Sequence, residues 1–285
     1  MTITTIDPTS SPAGAAPPSS SAVPPGRAGL VDVLRAEWTK LRTVRSTPLC
    51  LGLVALLGVG LSAIACAETA SHWATMAPGA RLSFDPTQTS LLGIVVAQLV
   101  LGVMAILAVS SEYGTGTIRA TLAATPRRGM VLLSKVGVFA ALSLVVSEAV
   151  SFAAYFVGQA LLVSPTPHTT LASPQALRQV VFAGLYLTGL GLFALGLATI
   201  IRHTAGAIAA FVGCLLVAPL ILQAMPLSIQ QNLRHLLPTQ IGNSMTQLEV
   251  PLHYAWSPWA SFALLCVYAA LTLVVGGVLF LRRDA

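Results

Sequence analysis

The chain has 285 residues, 55% of them hydrophobic and only 8% charged, with a formal net charge of +6. That composition, with a mean hydropathy of +0.81, fits a polytopic membrane protein and excludes an ordinary soluble domain. The length suffices for one bundle of helices but not for a nucleotide-hydrolysing domain as well, and the scattered cations form no dense stripe for nucleic acid.

In chain order, residues 1–28 are rich in Pro, Ser, Ala and Thr, carry Arg27 as their only basic residue and have no apolar core. They read as a disordered cytosolic tail without a cleavable signal. Residues 29–45, "GLVDVLRAEWTKLRTVR", predict an amphipathic helix. Leu30, Val31, Leu34, Trp38, Leu41 and Val44 share one broad face, with Asp32, Arg35, Thr39 and Arg42 elsewhere. A basic helix with Trp on its apolar side, directly ahead of a span, belongs in the membrane interface. Glu37 interrupts the apolar face, so it snorkels, pairs with Lys40, or pairs with a loop arginine such as Arg127 or Arg128.

Six apolar windows match a hydrocarbon layer of ~30 Å: 48–67, 89–110, 131–163, 180–201, 205–224 and 258–281. The third is too long for a straight crossing, so it tilts or its first turns, around Lys135, lie at or outside the interface. The fifth contains Pro219, a kink signal. Twelve of the fifteen Lys and Arg residues fall on the side of the two termini, against Arg81, Arg178 and Arg234 on the other. This bias places both termini in the cytoplasm. Small residues recur at packing spacing: Gly206, Ala210 and Gly213 on the fifth span, Ala194 and Ala198 on the fourth.

Between spans two and three lies the polar stretch "SSEYGTGTIRATLAATPRRGMVL", 111–133. Glu112 follows the span, and Gly114 and Gly116 permit a sharp change of direction. Thr115 or Thr117 can cap a short helix with Ile118 and Leu122 as its apolar patch; Pro126 ends it, and Arg127 and Arg128 mark the return to the membrane. The alternative is a plain loop whose arginines only set topology. The glycines are no phosphate cradle, because no GxxxxGK[ST] occurs. In the loop 225–257, "LSIQQNLRHLL" lies between Pro226 and Pro238, with Trp256 and Trp259 where an aromatic belt belongs.

No catalytic constellation emerges. The five histidines (His72, His168, His203, His235, His253) are scattered without HExxH, GxSxG is absent, and Cys50, Cys66, Cys214 and Cys266 show no metal spacing. One charge is out of place: Glu148, in the middle of the third span. An acid at mid-bilayer costs roughly 2.5–3.5 kcal/mol and should face protein or water. Ser147 and Ser151 flank it, and Gln98 on the second span is a partner within reach. It is either a hydrogen-bonded carboxyl between helices or an acid lining a substrate pathway.

The lead-in "RAEWTKLRTVRSTP", the loop "EYGTGTIRATLAATPRR" and the six spans together resemble the membrane permease subunit of a type-two ATP-binding-cassette exporter, especially those of high-GC Gram-positive bacteria. The likeness covers about residues 30–285. It implies an all-α polytopic membrane protein of six transmembrane helices in one permease domain, 29–285. The interfacial helix bearing Glu37 and Trp38 becomes a connecting helix. The loop 111–128 becomes a coupling helix for a separate cytosolic ATPase, with Glu112, Gly116, Thr117, Arg119, Pro126 and Arg127 on it. The loop 225–257 becomes extracellular, its short helices closing the outer end. The resemblance further implies a homodimer or heterodimer of permeases in the plasma membrane and export of a hydrophobic or amphipathic drug, antibiotic, lipid or peptide. ATP and Mg would sit on the partner, so that this chain holds no cofactor or metal of its own and binds no nucleic acid. The competing readings are an integral membrane enzyme, and a sensor or scaffold using the same cytosolic segment to hold a signalling partner.

Overall fold

A computed structural model describes residues 29–117, 128–247 and 256–282. The expected tail 1–28 and three of the expected coupling residues, Arg119, Pro126 and Arg127, lie outside the described residues. Among those described there is no strand. The elements are α1 (Leu30–Thr43), α2 (Ser46–His72), α3 (Pro78–Leu82), α4 (Pro86–Ser90), α5 (Ile94–Gly114), α6 (Arg128–Leu161), α7 (Pro174–Ile201), α8 (Thr204–Gln223), α9 (Leu227–Leu233), α10 (Pro238–Thr246) and α11 (Pro258–Arg282). Six of them, α2, α5, α6, α7, α8 and α11, are long and apolar enough to cross a membrane.

Each expected window overlaps one of these helices, with two informative differences. The window 89–110 is two helices. Asp85 caps α4 by accepting the Thr87 and Gln88 N–H groups at 2.9 and 3.1 Å, with Pro86 at the first position, an N-terminus signal. The spanning helix α5 then starts only at Ile94. Pro219 does not end α8. Its missing N–H falls just after a turn of π-helix, Gly213–Val217, in which the Ala218 N–H bonds back to Gly213 O, and the helix continues through the wider turn.

The centre of the bundle is α7, which packs against α5, α6 and α11. Its contact with α11 relies on missing side chains. A Cβ on Gly196 would strike Thr272, and one on Gly276 would strike Thr199, so the two backbones approach as closely as small residues allow. Ala194 and Ala198 are fully buried on the same helix, as their spacing predicts. On α8 the buried face is Ala207, Phe211 and Leu215. The expected small-residue face is turned away: Ala210 is exposed and Gly213 has open space where a Cβ would stand.

The helix order puts the start of α2, the end of α5, the start of α6, the end of α7 and the end of α11 at one end of the bundle, together with α1. Thr204 at the start of α8 donates to Ser110 near the end of α5 at 2.9 Å, and Arg202 donates to Leu279 O of α11 at 3.1 Å. Arg35, Lys40, Arg42, Arg45, Lys135, Arg202 and Arg282 therefore gather at this basic end, while Arg81, Arg178 and Arg234 lie at the other. The polar end has its own ties. Gln179 of α7 donates to Asp85 and to Thr246 O, both at 2.7 Å, which locks α4 and α10 onto the bundle.

Candidate functional site at the basic end of the bundle

Helix α1 begins where Asp32 accepts the Gly29 N–H at 3.0 Å, a local cap that offsets one orphan donor. It has two apolar aspects. Leu30, Val31, Trp38 and Val44 are exposed and form its outer face. Val33 and Glu37, one turn apart, are buried, because α1 lies against α6. Glu37 therefore breaks the outer stripe for a structural reason: it belongs to the second face.

Glu37 is 3% exposed and is answered by two ammonium groups. Its Oε1 accepts from Lys40 Nζ at 2.8 Å, and its Oε2 from Lys135 Nζ of α6 at 2.7 Å. Lys135 also donates to Glu112 Oε1 of α5 at 2.8 Å and to Ala108 O at 3.3 Å. Lys40 reaches the same Glu112 oxygen at 3.1 Å. Four charges thus join three helices, with opposite signs adjacent throughout.

Burying carboxylates and ammonium groups is tolerable only when they pair and hydrogen-bond. Burial alone would raise the pKa of the Glu37 carboxyl, but Lys135 and Lys40 outweigh it and hold it below its ordinary 4.5. Burial would likewise lower the Lys40 pKa, but Glu37 and Glu112 more than offset it and hold it above its ordinary 10.5. Both groups are charged across the neutral range.

Of the partners the sequence offers Glu37, Lys40 is realised, while the side chains of the loop arginines Arg127 and Arg128 lie outside the described residues. The second partner is Lys135, two helical turns beyond Arg128, and the sequence marks Lys135 only as a charge near the start of a long span. Glu112 is 9% exposed and faces this cluster. Gly116 and Thr117, beyond it, are exposed. Gly116 has φ of +69°, a left-handed turn that glycine adopts without strain, and the Thr115 and Thr117 hydroxyls meet at 2.9 Å. The last turn of α5 and the first turns of α6, which flank the loop 115–127, are therefore tied through Lys135 to each other and to α1.

Beside the cluster is a cavity of about 420 Å³ between α1, α5 and α6, with Leu41, Val44, Met104, Leu107 and Phe139 among its walls and Glu112 and Lys135 at its charged side. A second cavity of about 220 Å³ lies toward the other end, beside Gln98, Tyr186 and Gly242.

The two intramembrane polar residues are not brought together. Gln98 accepts from Tyr186 Oη of α7 at 2.7 Å. Glu148 instead sits at Gly184 of α7, its carboxyl occupying the space a Cβ there would need. Its Oε2 is buried without a hydrogen-bond partner, while Ser151 below it donates to Val180 O at 2.6 Å. The notch at Gly184 is what admits an acid between α6 and α7. Tyr186 and Lys135 are the polar partners that sequence reasoning missed.

A family model described as ABC-2 family transporter protein matches residues 33–285. No curated protein matches the chain.

Proposed function

The chain belongs to the ABC-2 transporter family, as the membrane subunit of an ABC transporter, and from that premise we propose that it exports a hydrophobic or amphipathic compound. The energy would come from a separate ATPase that docks on the loop 115–127 and holds ATP and Mg. In this reading the basic end faces the cytoplasm of a plasma-membrane protein, in keeping with the positive-inside bias. Gly116 and Thr117, with Arg119, Pro126 and Arg127, meet the ATPase. Glu112 acts from inside, holding the base of the loop.

The observation that carries the reading is the charge cluster. A lever works only if its base is stiff. Here the helix leaving the membrane, the helix re-entering it and α1 share one pair-matched set of charges: Glu37, Lys40, Glu112 and Lys135. A displacement imposed on the loop then moves all three together, and a rigid-body shift of this kind can change access to a pathway. Two permeases complete the assembly, and the outward face of α8 bearing Gly206, Ala210 and Gly213 suits a second copy, since small residues let backbones approach. Substrate affinity must differ between the two states for the pump to run.

The test is co-purification of the full chain with an ATPase from the native membrane, then reconstitution and measurement of ATP hydrolysis with amphipathic compounds added. Stimulated hydrolysis together with compound accumulation on one side of the membrane supports the proposal. Recovery of a kinase or regulator with no ATPase would favour the scaffold reading instead.

A further inference from the structure

Glu148 stands midway along α6 between Lys135 of the charge cluster and Leu161 at the helix end, so its carboxyl lies deep in the hydrocarbon layer. Helices α6 and α11 both pack on α7 but touch each other little, and a strip of α7 faces outward between them. Val181, Leu185 and Leu192 on that strip are only partly buried. The α6 wall of this groove carries Val145, which is 69% exposed, and Phe152, partly buried. By helical spacing both stand on the outward side of Glu148, away from the buried Ser147 and Ser151.

Among the described residues no hydrogen bond or ion pair serves the Glu148 carboxyl. The hydroxyls one turn away are committed to main chain: Ser151 donates to Val180 O at 2.6 Å and Thr188 to Gly184 O at 3.0 Å. Oε2 is sealed in the notch at Gly184. The residue as a whole is only half-buried, and Oε1, which is neither bonded nor buried, opens on the groove. A carboxylate left uncompensated at this depth is costly; it is neutralised by a proton or by a cation.

We propose that this groove binds a lipophilic cation whose charge is spread over aromatic rings, the charge set against Glu148 Oε1 and the rings against Val145, Phe152 and Leu185. The cation takes the place of the proton that otherwise neutralises the acid. A primary ammonium carries a strongly held hydration shell into hydrocarbon only at great cost, whereas a delocalised cation sheds water readily. Attraction to the Phe152 ring adds to that of the carboxylate. An anion or a neutral compound gains nothing from an acid. The binding rests on the groove alone. Its meaning as the substrate class taken from the membrane rests on the exporter reading.

The test uses the full chain in phosphatidylcholine nanodiscs, with equilibrium dialysis corrected for empty discs. The probes are tetraphenylphosphonium and tetraphenylborate, which match in shape and differ in sign. The expected result is saturable binding of the phosphonium at one site per chain and none of the borate. Glu148→Gln keeps the side-chain volume and removes the charge. It should weaken the phosphonium at least about tenfold, since a charge pair in a low dielectric supplies more than the 1.4 kcal/mol that tenfold represents. A second readout needs no variant. Dicyclohexylcarbodiimide, an apolar reagent, adds a protonated carboxyl across its C=N bond, and peptide mapping should find Glu148 modified. The phosphonium should slow that labelling and the borate should not. Phosphonium that only partitions as into empty discs, two ions that bind alike, or a Glu148→Gln variant that binds like the parent would each overturn the proposal. So would Glu148 that goes unlabelled, or is labelled as fast with the phosphonium present. No ATPase enters either assay, so failure of the site is distinguishable from failure of the exporter reading.

Discussion

Helices α7 and α8 are joined by the short turn at Arg202 and His203, both are strongly apolar, and they differ in what surrounds them. In the most apolar stretch of α7, 67% of residues are buried; in α8 the share is 17%. Apolar character therefore decides which segments cross but says little about which sit at the centre. Lipid tails are as apolar as leucine, so spans associate through close packing and polar contacts. Helix α7 has both: Gly196 facing Thr272, and Gln179 and Tyr186 bonded to other elements. Helix α8 meets the bundle mainly through Ala207, Phe211 and Leu215, while Leu216, Leu220 and Ile221 point outward.

The largest expected effect lies at the charge cluster that joins α1, α5 and α6. Lys135→Met leaves Glu37 and Glu112 short of a shared ammonium and should destabilise the chain by about 3–5 kcal/mol, read by thermal unfolding in detergent. Adding Glu37→Gln should restore part of that loss, because paired groups are not additive. Next comes the contrast between the two helices. Gly196→Ala should cost about 1–3 kcal/mol by overpacking against Thr272. Gly213→Ala, whose Cβ meets open space within the single chain, should cost the isolated chain nothing and gain it up to about 1 kcal/mol from reduced backbone entropy. Equal losses at the two sites would show that α8 is packed as tightly as α7.

A smaller effect appears in acid. The Glu37 pKa is depressed in the folded chain, so its contribution is present above its unfolded value and is lost as pH falls through the folded one. Unfolding curves should therefore lose stability below about pH 4.5, and Glu37→Gln should flatten that limb. The smallest effect belongs to Leu220→Ala, which faces outward on α8 and should stay within about 0.5 kcal/mol in the isolated chain.

Much of this was readable in the residues themselves. The six spans, the interfacial helix and the glycine elbow each have a local signature: apolar length, helical periodicity, or a position that needs positive φ, as Gly116 does. Glu37 was visible as a flaw in a stripe, and Lys40 as its neighbour one turn on. What stayed hidden was long-range. Nothing local distinguishes Lys135, which closes a cluster with residues 23 and 98 positions away, from any cation at the end of a span. Gln179 likewise reads as one more polar residue near a helix start, and only the fold shows it holding Asp85 and α10. The small-residue face of α8 misled for the related reason that spacing reveals a packable surface without saying what packs on it. Glu148 was recognised as anomalous, but its seat at Gly184 depended on which helix lies opposite.

The central claim is that the exposed elbow at Gly116 and Thr117, anchored by the Glu37–Lys135–Glu112 charges, is where an ATPase partner grips. Thr117→Cys, carrying a short photo-cross-linker in native membranes, tests it most directly. The account predicts capture of an ATPase chain, with labelling by an impermeant maleimide only from the cytoplasmic side. Labelling from the exterior, or cross-linking that captures no nucleotide-hydrolysing protein, would contradict it.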